Sequence, residues 1–164
     1  MQAFDYVAAA SVEDAVTRLA SAGGQTNILS GGTDLIVQLR EGRRSAHVVV
    51  DVKGLPEFVE LSYDPATGLT IGAATQCYRI TNDTAIAAAY PGLVEAISLI
   101  GGVQIQGRAS VGGNLCNASP AANSIPALIA HSAVCGIAGP DGRRTLPVEE
   151  FCVGPGRNAL QPGE

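Results

Sequence analysis

The 164-residue sequence lacks any long hydrophobic run. Its mean hydropathy is +0.22, yet every apolar stretch breaks off well before the ~18 residues that a spanning helix needs, which excludes a helical membrane span. No basic start followed by an apolar segment opens the chain, since Met1 to Tyr6 include Asp5; a secretion signal is therefore not expected, and the cytoplasm is the expected location. Positive charge is scarce: 15 acidic residues stand against 10 basic ones, and the basic ones form only pairs such as Arg43-Arg44 and Arg143-Arg144. Nucleic acid is thereby excluded as a partner. Cys77, Cys116, Cys135 and Cys152 include no Cys-x-x-Cys pair, so no zinc or iron-sulfur ligation is expected, and the four read as buried free thiols. The two histidines, His47 and His131, stand apart from any partner constellation and read as structural; no catalytic residue and no metal ligand is assigned.

Glycine is what the sequence has in excess. The 20 glycines cluster in pairs at Gly23-Gly24, Gly31-Gly32, Gly101-Gly102 and Gly112-Gly113, the pattern of tight turns or of close ligand approach. The 46% of hydrophobic residues suffices for a core around them. Ser11, with Asp14 three residues on, predicts a capped helix from Val12 to about Ala22, stopped by Gly23 and burying Val12, Ala15, Val16 and Leu19. A strand over Thr26–Leu29, the Gly31-Gly32 turn, a helix from about Asp34 to Glu41 and a strand over His47–Val52 form a βαβ unit with parallel strands. From Leu55 the pattern changes. Leu61, Tyr63, Leu69 and Ile71 around Asp64-Pro65 predict a hairpin; Thr81 predicts a helix cap, the helix running through Ala89; and Pro91-Gly92 separate that helix from another over Leu93–Ile100. Ala133–Ala138 and the residues after Pro140-Asp141-Gly142 read as a final pair of strands.

Two glycine segments carry the functional signal. In Leu29-Ser30-Gly31-Gly32-Thr33-Asp34 a strand end passes into a helix start, where unpaired amides can hold an anion without any Lys or Arg, helped by the hydroxyls of Ser30 and Thr33. A structural turn with Thr33 as cap explains the same residues. The second segment, Arg108 to Ser124, reads as a long polar loop containing Ala109-Ser110-Val111-Gly112-Gly113-Asn114, ordered either around a polar ligand or simply as surface. Neither segment has Gly-x-Gly-x-x-Gly spacing, which argues against a Rossmann dinucleotide site.

With Phe4-Asp5-Tyr6, Gly31-Gly32-Thr33-Asp34, Ile71-Gly72-Ala73 and the run from Gln104 through Pro126, the sequence resembles the FAD subunit of the molybdenum hydroxylases over nearly its whole length. That group includes carbon monoxide dehydrogenase and xanthine dehydrogenase. The resemblance implies an α+β, two-lobed FAD-binding domain of the vanillyl-alcohol-oxidase type, with a small βαβ lobe at 1–54 and a larger mixed lobe at 55–164. It implies that Ser30 to Asp34 and Ser110 to Asn114 cradle the FAD pyrophosphate, with Leu29, Ala109, Asn117, Ala122 and Asn123 along the same site. The family often has Asp where this chain has Asn123. It also implies electron transfer from a 2Fe-2S small subunit, reduced by a molybdenum cofactor-binding large subunit, through FAD to an external acceptor. Family subunits continue into a C-terminal domain that helps cover the flavin, so residues 1–164 alone are expected to fold and to hold FAD more weakly. A free-standing FAD oxidoreductase and a non-catalytic scaffold of the same fold are the competing readings.

Overall fold

The computed structural model describes residues 2–21 and 25–164; the expected helix end near Ala22 and the Gly23-Gly24 turn lie outside the described residues. Strands β1 (Asp5–Ala8), β2 (Thr26–Leu29) and β3 (Val48–Asp51) form a parallel sheet in the order β1-β3-β2. Between β1 and β2 runs helix α1 (Val12–Ser21), and between β2 and β3 runs α2 (Leu35–Arg40). The βαβ unit is as expected, with Thr26 opposite Val48 and Leu29 opposite Asp51. Central β3 buries Val49 and Val50 completely, one on each face, as a strand covered on both sides must. Strand β1 was not expected from the sequence. It pairs Asp5 with Val48 through Ala8 with Asp51 at the sheet edge, and it is largely exposed, with Tyr6 58% accessible, so backbone pairing rather than an apolar pattern makes it a strand.

The start of α1 is capped as anticipated: the Asp14 amide donates to Ser11 Oγ at 3.1 Å, while the Asp14 carboxylate accepts from the Ala10 amide at 3.0 Å. Of the four side chains expected to be buried along α1, only Ala15 is; Val12, Val16 and Leu19 are half-buried. At the C-terminal end of β3, Asp51 is buried. Its carboxylate accepts from Tyr6 Oη and from the Lys53 amide (2.8 Å), and it pairs with Lys53 Nζ (2.7 Å). Burial pushes this carboxyl up, but the bonds from Lys53 and Tyr6 outweigh burial and leave it below the ordinary carboxylate value.

After a short 3-10 turn at Pro56–Val59 comes the expected hairpin, β4 (Leu61–Asp64) against β5 (Gly68–Ile71). Asp64 Oδ1 closes its turn by accepting from the amides of Ala66 (2.7 Å) and Thr67 (3.1 Å). Six helices follow: α3 (Cys77–Thr81), α4 (Thr84–Ala89), α5 (Pro91–Ser98), α6 (Val103–Gln106), α7 (Val111–Asn117) and α8 (Ser124–Ala130). Thr81 is not a cap: it ends α3, and the cap of α4 is Asp83, whose carboxylate accepts from the amides of Ala85 and Ile86, both at 3.0 Å. Pro91 opens α5 rather than separating it from α4 at a distance, because its missing N–H costs nothing at a first helical position. Strands β6 (Val134–Gly139) and β7 (Gly142–Pro147) form the expected last hairpin, followed by α9 (Val148–Phe151) and a small ribbon of β8 (Cys152–Gly154) and β9 (Arg157–Asn158). The fold is α+β. Its largest core cluster gathers Cys77, Ile80, Ile86, Leu93, Ile97, Ala109, Val111, Leu115, Leu128, Ile137, Val148 and Phe151, and so runs directly beneath the second glycine segment.

All four cysteines are free, but only Cys77 is buried, with burial raising its thiol to about 11. Cys116 is exposed and Cys135 and Cys152 are half-buried, which corrects the expectation of four buried thiols. At the chain's last residues, Arg144 donates to both carboxylate oxygens of Glu164 (2.7 and 2.6 Å) and to the Ala159 carbonyl (3.0 Å). The Arg144 hydrogen bonds pull Glu164 from an ordinary 4.5 down to about 2. A depressed carboxylate contributes stability above its ordinary value and loses it as pH falls through the folded value. The thermal midpoint of the wild-type protein is therefore expected to exceed that of Glu164→Gln near neutrality, with the gap closing as pH falls from 4.5 towards about 2. A gap independent of pH would show that the pairing contributes nothing.

Candidate functional site

At the C-terminal edge of the parallel sheet, β2 ends in buried Leu29 and the chain turns through Ser30, Gly31 and Gly32 (φ +78°) into α2. The α2 helix is closed by Ile36 donating to the Gly32 carbonyl (3.1 Å) and Gln38 to that of Asp34 (2.9 Å). Neither Thr33 nor Asp34 caps it with a side chain, which removes Thr33 from the capping role. Among the described residues, the amides of Gly31, Gly32, Thr33 and Asp34 donate to no other backbone carbonyl. Such amides carry the partial positive charge that an anion seeks.

The second segment is a loop only in part, since its middle, Val111–Asn117, is helix α7. Ser110 is the N-cap of α7, its hydroxyl accepting from the Gly113 amide at 3.1 Å, and Gly112, Gly113 and Asn114 lie inside the helix. Three poor helix formers are carried there by the cap and by burial of Val111 and Leu115, one turn apart on one face; Ala118, in the left-handed region (φ 46°), ends the helix.

The fold brings the two segments into direct contact. A Cβ on Gly31 would stand 2.2 Å from the Arg108 carbonyl oxygen and 3.0 Å from Ala109 Cα, and one on Gly112 would stand 2.4 Å from the Ala73 carbonyl oxygen. Both glycines are there because backbone passes against backbone. Gly113 differs: a Cβ there would meet only Ser110 Oγ at 3.0 Å and Ser30 Oγ at 4.0 Å. Ser30 Oγ lies 2.7 Å from Ser110 Oγ and 3.1 Å from the Ala73 carbonyl. Asn117 Nδ2 donates to Asp34 Oδ2 (2.5 Å), tying the end of α7 to the start of α2, and Ser124 Oγ, fully buried, donates to Asn114 Oδ1 (2.7 Å).

Of the residues expected at the site, Ser30, Gly31, Asp34, Ala109, Ser110, Gly113 and Asn117 are joined by these contacts. Ala122 and Asn123 are tied elsewhere, the Ala122 amide donating to the Ser119 carbonyl (3.0 Å) and Asn123 Nδ2 to that of Leu99 (3.0 Å). The carbonyls of Ala73 and Arg108 are parts of the site that side-chain reasoning missed, and no sequence signal marks a backbone oxygen. Among the described residues, no group of three or more His, Cys, Asp or Glu could hold a metal ion, and no helix is long and apolar enough to cross a membrane.

Residues 2–164 match the family model described as the FAD binding domain in molybdopterin dehydrogenase, and the chain belongs to that family. It is similar to the xanthine dehydrogenase FAD-binding subunit of Escherichia coli O157:H7, 33% identical over 97% of this chain and 54% of the relative. It is also similar to the carbon monoxide dehydrogenase medium chain of Hydrogenophaga pseudoflava, 32% identical over 98% of this chain and 56% of the relative. A solved carbon monoxide dehydrogenase from Hydrogenophaga pseudoflava superposes with a TM-score of 0.93 at 28% identity, covering 99% of this chain and 56% of that one. Quinoline 2-oxidoreductase from Pseudomonas putida 86 gives 0.92 at 25%, with the same coverage. The chain thus spans about half the length of the curated relatives it matches. The cofactor of the family is FAD. The residues present suit its pyrophosphate: free amides at one glycine turn, and at Gly113 a face that a side chain would fill.

Proposed function

We propose that the chain is the FAD-binding part of an electron-transfer flavoprotein subunit of a molybdenum hydroxylase. It takes electrons from iron-sulfur clusters on a 2Fe-2S small subunit, which a molybdenum cofactor-binding large subunit supplies, and delivers them to an external acceptor in the cytoplasm. The observation that carries this reading is the meeting of the two glycine segments, 80 residues apart in sequence, at the Ser30–Ser110 contact beside the open face of Gly113. When bound, the flavin supplies the electron transfer itself. The protein's part is to hold and orient it. The amides of Gly31 to Asp34, with those of Val111 and Gly112 at the first turn of α7, face the pyrophosphate with partial positive charge, and neutral donors fix the phosphates without a Lys or Arg. Thr33 adds a hydroxyl, and the Asn117–Asp34 bond ties the end of α7 to the start of α2. In this reading the pyrophosphate lies along the seam between residues 1–54 and 55–164.

Purified protein is expected to quench FAD fluorescence on titration to one equivalent, and its native form to co-purify with a molybdenum subunit and an iron-sulfur subunit. A protein that takes up FAD yet purifies alone would point to a free-standing flavoenzyme. One that takes up none would leave only a scaffold.

A further inference from the structure

Two serine hydroxyls occupy the junction of the glycine segments, and the arithmetic of their protons fixes their role. Three contacts meet there: the Gly113 amide on Ser110 Oγ (3.1 Å), Ser110 Oγ on Ser30 Oγ (2.7 Å) and Ser30 Oγ on the Ala73 carbonyl (3.1 Å). An amide can only donate and a carbonyl can only accept, whereas a hydroxyl brings one proton. One arrangement satisfies all three: Gly113 N–H gives to Ser110, Ser110 O–H gives to Ser30, and Ser30 O–H gives to the Ala73 carbonyl. Each hydroxyl has then spent its proton. A phosphate oxygen needs donors, and these two oxygens would offer it only lone pairs.

We infer that Ser30 and Ser110 form a one-way hydrogen-bond relay that positions the two glycine segments for FAD and does not itself bind the phosphates. This rests on the FAD reading above and refines it, because anion binding by the Ser30 hydroxyl was the expectation from sequence. Ser110 is buried and Ser30 half-buried, so the Ser30–Ser110 bond is partly shielded from water, while the Ser30–Ala73 bond lies at the surface. The relay joins three stretches, the β2–α2 turn, the start of α7 and the residue-73 backbone, at the two places where Gly31 and Gly112 let backbones touch.

The test compares Ser30→Ala, Ser110→Ala, the double variant and Ser110→Thr in purified protein, reading the thermal midpoint of the FAD-free form and the FAD dissociation constant. Each alanine variant is expected to lower the midpoint and to weaken FAD binding about tenfold, the consequence of leaving a partly buried partner unsatisfied. The double variant should be no worse than the worse single one, since either change already breaks the relay. Ser110→Thr, which keeps the hydroxyl, should restore both signals. Additive losses, or weaker FAD binding by Ser30→Ala with an unchanged FAD-free midpoint, would mark Ser30 as a phosphate ligand and overturn the relay. A lowered midpoint with unchanged FAD affinity would reduce the pair to plain structure. If the wild type itself took up no FAD, the FAD reading would fall and the positioning role with it.

Discussion

Gly113→Val is expected to weaken FAD binding by about a hundredfold or more, through loss of the equivalent of two charge-assisted hydrogen bonds, while leaving the FAD-free protein folded. The asymmetry follows from what surrounds this glycine. A Cβ there meets no backbone, only the hydroxyl oxygens of Ser110 and Ser30 at 3.0 and 4.0 Å, and Ser110 can yield by tenths of an ångström. Valine also suits a helix interior slightly better than glycine, so the FAD-free midpoint should move by no more than about 4 °C. The two valine methyls, however, would stand where the pyrophosphate approaches α7 in the proposed site. Calorimetric titration of FAD into matched wild-type and variant protein measures the first quantity, and differential scanning fluorimetry the second. Wild-type affinity in a folded Gly113→Val protein would place the pyrophosphate elsewhere.

Gly31→Ala should behave in the opposite way, destabilising the protein before any cofactor is added. Its Cβ would stand 2.2 Å from the Arg108 carbonyl oxygen, and the obstacle is backbone, which has no rotamer to change. Overpacking of this kind costs about 1–3 kcal/mol and at times more, or a fall in midpoint of roughly 2–12 °C for a chain of this size. Gly112→Ala, at 2.4 Å from the Ala73 carbonyl oxygen, should follow it. Both variants should also lose FAD affinity, because the segments can no longer close on each other. A FAD-free Gly31→Ala protein melting with the wild type would mean that the two backbones have room to part, and that Gly31 serves the ligand instead.

That contrast marks the boundary of what the sequence could disclose. The β2–α2–β3 unit is legible because Val48, Val49 and Val50 form an apolar run and Ser30-Gly31-Gly32 punctuates the entry to α2. Both hairpins were legible from Asp64-Pro65 and Pro140-Asp141-Gly142. Strand β1 was not, because an edge strand that buries little leaves no apolar pattern. Helix α7 is hidden in the sequence because Gly112, Gly113 and Asn114 all disfavour helix in isolation, and tertiary burial of Val111 and Leu115 overrides them. In the site, each glycine segment announced itself as polar and permissive, but their meeting did not. The atoms that decide it, the carbonyls of Ala73 and Arg108, belong to every residue type alike.

The buried carboxylate of Asp51 has a bearing on how the sheet chooses its alignment. The three valines before it would satisfy the apolar faces equally well if β3 slid by one position, since valine would replace valine on either side. A one-residue slip turns every side chain to the opposite face. It would carry Asp51 away from Tyr6 on β1 and onto the side where Val50 packs with Ala9, Ala15, Val52 and Leu55. A carboxylate is tolerated poorly in such apolar surroundings. The misaligned sheet is thus penalised by one charge at the strand's end, which supplies the discrimination that a run of identical hydrophobic residues lacks.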